Sequence, residues 1–119
     1  MPHVLIVDDD LVNRKLARAI LERAGWEAVE CDNGASALEC FQRQPFDAVL
    51  LDIGMPGMDG RQVCHELRKL QQGPLRIVAY TASVLPEEMA SLIENGFDEV
   101  LQKPVSIAAV QAAFAAIGT

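Results

Sequence analysis

The chain has 119 residues, half of them apolar and 23% charged, which is the composition of one globular domain and excludes a disordered tail. Seventeen acidic against ten basic side chains give a net charge of −7, which argues against a nucleic-acid binder and against docking on an anionic membrane. Three cysteines stand far apart with no CxxC pair, which predicts reduced cytoplasmic thiols rather than a zinc site or a secreted disulfide framework. No apolar run approaches a membrane span, and Met1-Pro2-His3 shows no signal peptide, so a single domain over 1–119 is expected.

Apolar runs alternate with segments of helical period. Val4-Leu5-Ile6-Val7 predicts a first strand ending in acids. Leu16, Ile20 and Leu21 then recur at helical spacing between Leu11 and Ala24, and Gly25 stops that helix. Trp26 to Cys31 reads as a second strand, broken by Asn33-Gly34; Ala37, Leu38 and Phe41 mark a helix that Pro45 ends. Ala48-Val49-Leu50-Leu51 lacks polar alternation, as expected of a strand covered on both faces. Gly54 to Gly60, with Pro56, is a loop, and Val63, Leu67 and Leu70 form a third helical stripe. Leu75 to Tyr80 is a fourth strand. A fourth helix opens at Pro86 and ends near Gly96, Val100-Leu101 lies in a short fifth strand, and Ile107, Val110, Phe114 and Ile117 line a last helix that Ser106 can cap.

Five β–α units of this length imply a parallel α/β sheet, doubly wound with helices on both faces. Ligands of such sheets bind beyond the carboxyl ends of the strands. Those ends carry Asp8-Asp9-Asp10, Asp52, Thr81-Ala82-Ser83 and Lys103-Pro104. Each has an ordinary reading: Asp10 or Asp9 caps the first helix, Asp52 is a turn residue, Thr81 bonds its own backbone and Lys103 is solvated. Together they describe more. Carboxylates about 4 Å apart repel by about 4 kcal/mol per pair at an effective dielectric of 20, and a divalent cation removes that cost. Oxygen ligands without His or Cys suit Mg²⁺ or Mn²⁺. A nearby lysine, hydroxyl and backbone N–H can hold a phosphoryl group, and Asp52 is the best candidate to accept it as a nucleophile. His3 is terminal and His65 is expected on a solvent face, so no Ser–His–Asp arrangement competes.

At these residues the sequence resembles the receiver domain of two-component response regulators, through Val4 to Asp10, Leu50 to Gly60, Thr81-Ala82 and Lys103-Pro104. The resemblance implies a flavodoxin-like (βα)5 fold with strand order 2-1-3-4-5. It implies that Asp52 is the phosphoacceptor, and that Asp8, Asp9, Asp52 and the Gly54 carbonyl serve a Mg²⁺ ion. Lys103, Thr81 and the Ala82 N–H would contact the phosphoryl group, with the Lys103-Pro104 bond cis. The donor would be a phosphohistidine on a sensor histidine kinase or histidine phosphotransfer domain, and phosphorylation would switch a protein-interaction face. The domain would assist its own phosphorylation and hydrolysis without being an enzyme on outside substrates. Asn13-Arg14 and Ile77 to Ala82 look most like receivers attached to hybrid sensor histidine kinases.

Three departures carry expectations of their own. Val100 stands where receivers usually have Tyr or Phe, which predicts a small change at strand five on activation. Gly54 and Ser83 are small, which predicts easy access of water to Asp52. The last helix has no charged side chain, and its Ala108, Ala109, Ala112 and Ala115 read either as plain helix formers or as a close-packing contact with a partner or second copy. An unphosphorylated pseudo-receiver is the second reading, opposed by the intact Asp8, Asp9, Asp52, Thr81 and Lys103. An aspartyl-phosphate phosphatase of another α/β family would need an acid at Gly54. A dinucleotide binder would need G-x-G-x-x-G after the first strand.

Overall fold

The computed structural model describes residues 2–55, 57, 59–82, 85–103 and 106–114. Strands β1 (His3–Val7), β2 (Glu27–Cys31), β3 (Ala48–Asp52), β4 (Arg76–Thr81) and β5 (Glu99–Gln102) alternate with helices α1 (Leu11–Arg23), α2 (Gly34–Arg43), α3 (Gly60–Leu70), α4 (Pro86–Glu94) and α5 (Ile107–Phe114). The strands form one sheet in the order β2-β1-β3-β4-β5, and every pairing is parallel. The expected doubly wound architecture is therefore observed, with strand ends moved by a residue or so. Trp26 lies just before β2 and Leu75 just before β4, while Asp52 and Thr81 are the last residues of β3 and β4.

Side-chain alternation divides the core into two layers. Val4, Ile6, Ala48, Leu50, Val78 and Tyr80 face Ala17, Ile20 and Leu21 of α1 and Val110, Ala113 and Phe114 of α5. Trp26 closes that layer edge-on against Phe114, with ring centroids 5.5 Å apart. Leu5, Val7, Val49, Leu51, Ile77 and Ala79 face the other way, onto Ala37, Val63, Cys64, Leu67 and Leu92 of α2, α3 and α4. Two residues of the expected stripes leave the core. Leu16 is 43% exposed and Ile107 is 59% exposed, while Ala17 and Ala113 of the same helices sit in the buried layer instead. Ile117 and Ala115 lie outside the described residues.

Local chemistry sets the helix starts. Asp10 caps α1, accepting the Val12 and Asn13 N–H groups at 2.8 and 3.2 Å. Asn33, expected as a strand breaker, also caps α2 through the Ser36 N–H. Asp59 and Gln62 form a reciprocal capping box at the start of α3. The Ser106 hydroxyl accepts the Ala109 N–H at 3.1 Å. Gly25 and Gly96 end α1 and α4 with positive φ of 98° and 108°, as glycine stops do. Gly60 has a different reason: a Cβ there would come within 2.5 Å of the Ile53 backbone, so the loop after β3 closes only over glycine.

Candidate functional site at the carboxyl edge of the sheet

Asp8, Asp52, Tyr80 and Lys103 share one parity with the residues that face α1 and α5, so they rise from the strand ends on one side of the sheet. Asp8 follows β1 and is 1% exposed. Three hydrogen bonds fix it. Its N–H donates to the Cys31 carbonyl at 3.1 Å, its Oδ1 accepts the Asp10 N–H at 2.9 Å, and its carbonyl accepts Arg14 Nη1 at 2.8 Å. Among the described residues, Asp8 Oδ2 is the one buried side-chain oxygen with no hydrogen-bond partner.

Asp52 ends β3 and is 2% exposed. Its Oδ1 accepts the Gly54 N–H at 2.9 Å and its Oδ2 lies 3.0 Å from Lys103 Nζ. The Lys103 ammonium is also 5.1 Å from the centroid of the Tyr80 ring, a cation–π contact. Its backbone is fixed to β4 by a 2.8 Å bond from its N–H to the Thr81 carbonyl. Thr81 is buried at the end of β4, and Ala82 and Gly54 are exposed beside it and beside Asp52. Asp8, Asp9 and Asp52 each offer a carboxylate oxygen within 4.8 Å of the others.

Burial pushes the Asp8 carboxyl up to about 6, against the Asp10 N–H bond, and the negative charge of Asp52 adds to the rise. Burial alone would pull Lys103 down, but its bond to Asp52 and the charges of Asp52 and Asp8 outweigh it and hold the ammonium above its usual value. The donor set fits a hard divalent cation. Among the described residues it is all oxygen, it holds three acids against one lysine, and the buried Asp8 Oδ2 has no hydrogen-bond partner.

The edge thus gathers Asp8, Asp9, Asp52 and Lys103, with Thr81, Ala82 and Gly54 adjoining. Asp10 stands apart as the α1 cap. His65 is exposed on α3, and His3 pairs with Glu27 at 2.7 Å at the opposite end of β1. Ser83 and the Lys103-Pro104 bond, expected to be cis, lie outside the described residues. Two contributors were not identified from sequence. Tyr80 lies under the lysine; its parity with Asp52, opposite it in the β3–β4 register, was the available signal. Arg14 ties the Asp8 carbonyl to Glu30, its Nε lying 3.2 Å from Glu30 Oε1. That contact joins α1 to β2, and spacing along the chain does not announce it.

Residues 4–115 match the family model for the response regulator receiver domain, and the chain belongs to this family. It is 42% identical over 109 residues to the sensor histidine kinase GacS of Pseudomonas protegens, covering 88% of this chain and 12% of that protein. It is 38% identical over 105 residues to the signal transduction histidine-protein kinase BarA of Escherichia coli K12, covering 86% of this chain and 11% of that protein. The chain therefore spans about an eighth of the length of the curated relatives it matches, within their receiver regions. Among solved structures, the Vibrio cholerae chemotaxis protein CheY4 superposes with a TM-score of 0.90 at 27% identity over 98% of both chains. The receiver domain of the response regulator NarL from Mycobacterium tuberculosis does so with a TM-score of 0.87 at 29% identity, over 98% of this chain and 95% of that one. No helix among the described residues is long and apolar enough to cross a membrane.

Proposed function

We propose that residues 1–119 are one receiver domain that takes a phosphoryl group from a phosphohistidine onto Asp52, within a phosphorelay of the hybrid-kinase type. The observation that carries this reading is the setting of Asp52: a buried carboxylate paired at 3.0 Å with Lys103 and crowded by Asp8 and Asp9. Asp8, Asp9, Asp52 and the Gly54 carbonyl would hold Mg²⁺, with Mn²⁺ as a substitute, and the ion when bound supplies positive charge beside the developing phosphoryl oxygens. An Asp52 oxygen attacks phosphorus in line, the phosphorus–nitrogen bond breaks, and the imidazole leaves with its electron pair. Lys103 then follows the new oxygens as a point charge, and the Thr81 hydroxyl and Ala82 N–H offer them hydrogen bonds. The rearranged Thr81 and the loop behind it bias the outer face of α4, β5 and α5 toward a different partner preference.

The donor is a sensor histidine kinase or a histidine phosphotransfer domain, the work is cytoplasmic, and the domain is a phosphoacceptor rather than an enzyme on outside substrates. The uncharged outer side of α5, with Ala108 and Ala112 exposed, suits close packing on a partner or a second copy. Intact-mass spectrometry after incubation with acetyl phosphate tests the chemistry. A single Mg²⁺-dependent phosphoryl adduct on the wild type, absent from Asp52→Asn, is expected. An adduct that survives in Asp52→Asn overturns the assignment.

A further inference from the structure

The two cysteines at the β2 end of the sheet are not independent. Cys31 is the last residue of β2 and is 6% exposed; Cys40 is half-buried on α2. Their sulfurs are 3.4 Å apart, within one hydrogen bond of each other, although nine residues separate them in the chain. A disulfide needs about 2.05 Å, so the pair has only a little over an ångström to close. Both residues line a groove of about 720 Å³ that opens to solvent beside Arg14, Lys15 and Arg18. Cys64, the third thiol, lies on α3 and is fully buried, hydrogen-bonded to the Asn95 carbonyl.

We propose that Cys31 and Cys40 are a modification site: a dithiol that a hydroperoxide converts to an intramolecular disulfide, fastening α2 to the end of β2. Cys40 reacts first. It is the more exposed of the two residues, whereas burial, and then the hydrogen bond that Cys31 donates to Cys40, pushes the Cys31 thiol up to about 12 and leaves it a poor thiolate. The Cys40 sulfur attacks one peroxide oxygen and the O–O bond breaks. The other oxygen leaves as alcohol or water, taking the proton that Cys40 gave up, and Cys40 becomes a sulfenic acid. Cys31 then attacks that sulfur, the S–O bond breaks, and the hydroxide departs as water with the Cys31 proton. The two thiols lose two electrons and two protons, and the peroxide gains both. This inference does not depend on the phosphoacceptor reading, since neither cysteine belongs to the carboxylate cluster.

The test is hydrogen peroxide treatment of the folded protein without reductant, followed by unfolding, alkylation and intact-mass measurement with peptide mapping. The expected product is a monomer lighter by two hydrogens, with Cys31 and Cys40 blocked to alkylation and Cys64 fully alkylated. Cys64→Ser should give the same bridge, and Cys40→Ser should leave Cys31 alkylatable. A bridge that includes Cys64, a disulfide-linked dimer, or sulfinic acid on Cys40 with Cys31 still free would each overturn the proposal.

Discussion

Glu30, half-buried on β2, and Asp8, buried at the end of β1, are both acids that the fold draws out of water, and their surroundings are opposite. Glu30 Oε1 is 3.2 Å from Arg14, and its Oε2 is 2.8 Å from Lys15 and 2.9 Å from Arg18. Burial pushes its carboxyl up, but the bonds from Lys15, Arg18 and Arg14 prevail and hold it at about 2, well below its usual range. Among the described residues, Asp8 has one lysine to share with Asp52 and an oxygen without a partner, and its carboxyl is raised to about 6. One cluster is electrostatically complete and belongs to the framework. The other is left short of positive charge. Arg14 connects them, since it bonds both Glu30 and the Asp8 carbonyl. The satisfied cluster thereby helps to hold the unsatisfied one in place at the carboxyl edge of the sheet.

Breaking the framework side should cost most. Glu30→Gln leaves three cations around a neutral amide, and a stability loss of about 2 to 3 kcal/mol is expected in urea unfolding at pH 7. Glu30 is held below its ordinary 4.5, so its contribution is complete above that pH and fades as pH falls toward about 2. The wild type should lose stability over that window, and Glu30→Gln should lose less.

Changes at the reactive edge should alter kinetics more than stability. A Cβ at Gly54 would meet Asp52 Oδ1 at 3.5 Å, an ordinary contact, so a larger side chain fits there and covers the carboxylate. Gly54→Asn is expected to slow loss of the phosphoryl group several-fold, measured as decay of the adduct mass; an unchanged rate would show that residue 54 does not screen water. Val100, half-buried and opposite Ala79 in the β4–β5 register, has no ring to rotate. Its NMR shifts should move little on beryllofluoride binding, less than those of Thr81; a large movement at Val100 would place the switch in β5 after all. The smallest effect is assigned to the outer side of α5. Ala112→Glu should leave stability within about 0.5 kcal/mol, as exposed substitutions do, and should weaken self-association or partner binding in sedimentation and pull-down.

Much of this comparison was legible in the sequence on one side and hidden on the other. Asp8, Asp9, Asp52 and Lys103 close runs of apolar strand residues, so topology alone brings them together. Their order along the chain is enough to infer the cluster. Glu30 and its cations are scattered over α1 and β2, and their meeting depends on how α1 lies on the sheet. The same dependence explains Leu16: its helical spacing fits a core stripe, but the helix turns its Ala17 side inward. Tyr80 reads from sequence only as the end of the fourth strand, and its place under Lys103 required the β4–β5 register. The closeness of Cys31 and Cys40 likewise follows from the α2 docking angle rather than from their nine-residue spacing.

The most direct measurement compares unfolding free energies of the wild type and Asp8→Asn at pH 7.5, with chelator and then with saturating Mg²⁺. The folded Asp8 carboxyl is raised, so the acid's penalty on the fold is complete above about 6, shrinks as pH falls, and is gone below its ordinary 3.8. The account predicts that Asp8→Asn is more stable than the wild type by about 2 kcal/mol in chelator, and that Mg²⁺ stabilises the wild type but not the variant. A wild type that is the more stable of the two in chelator, and that Mg²⁺ leaves unchanged, would contradict it.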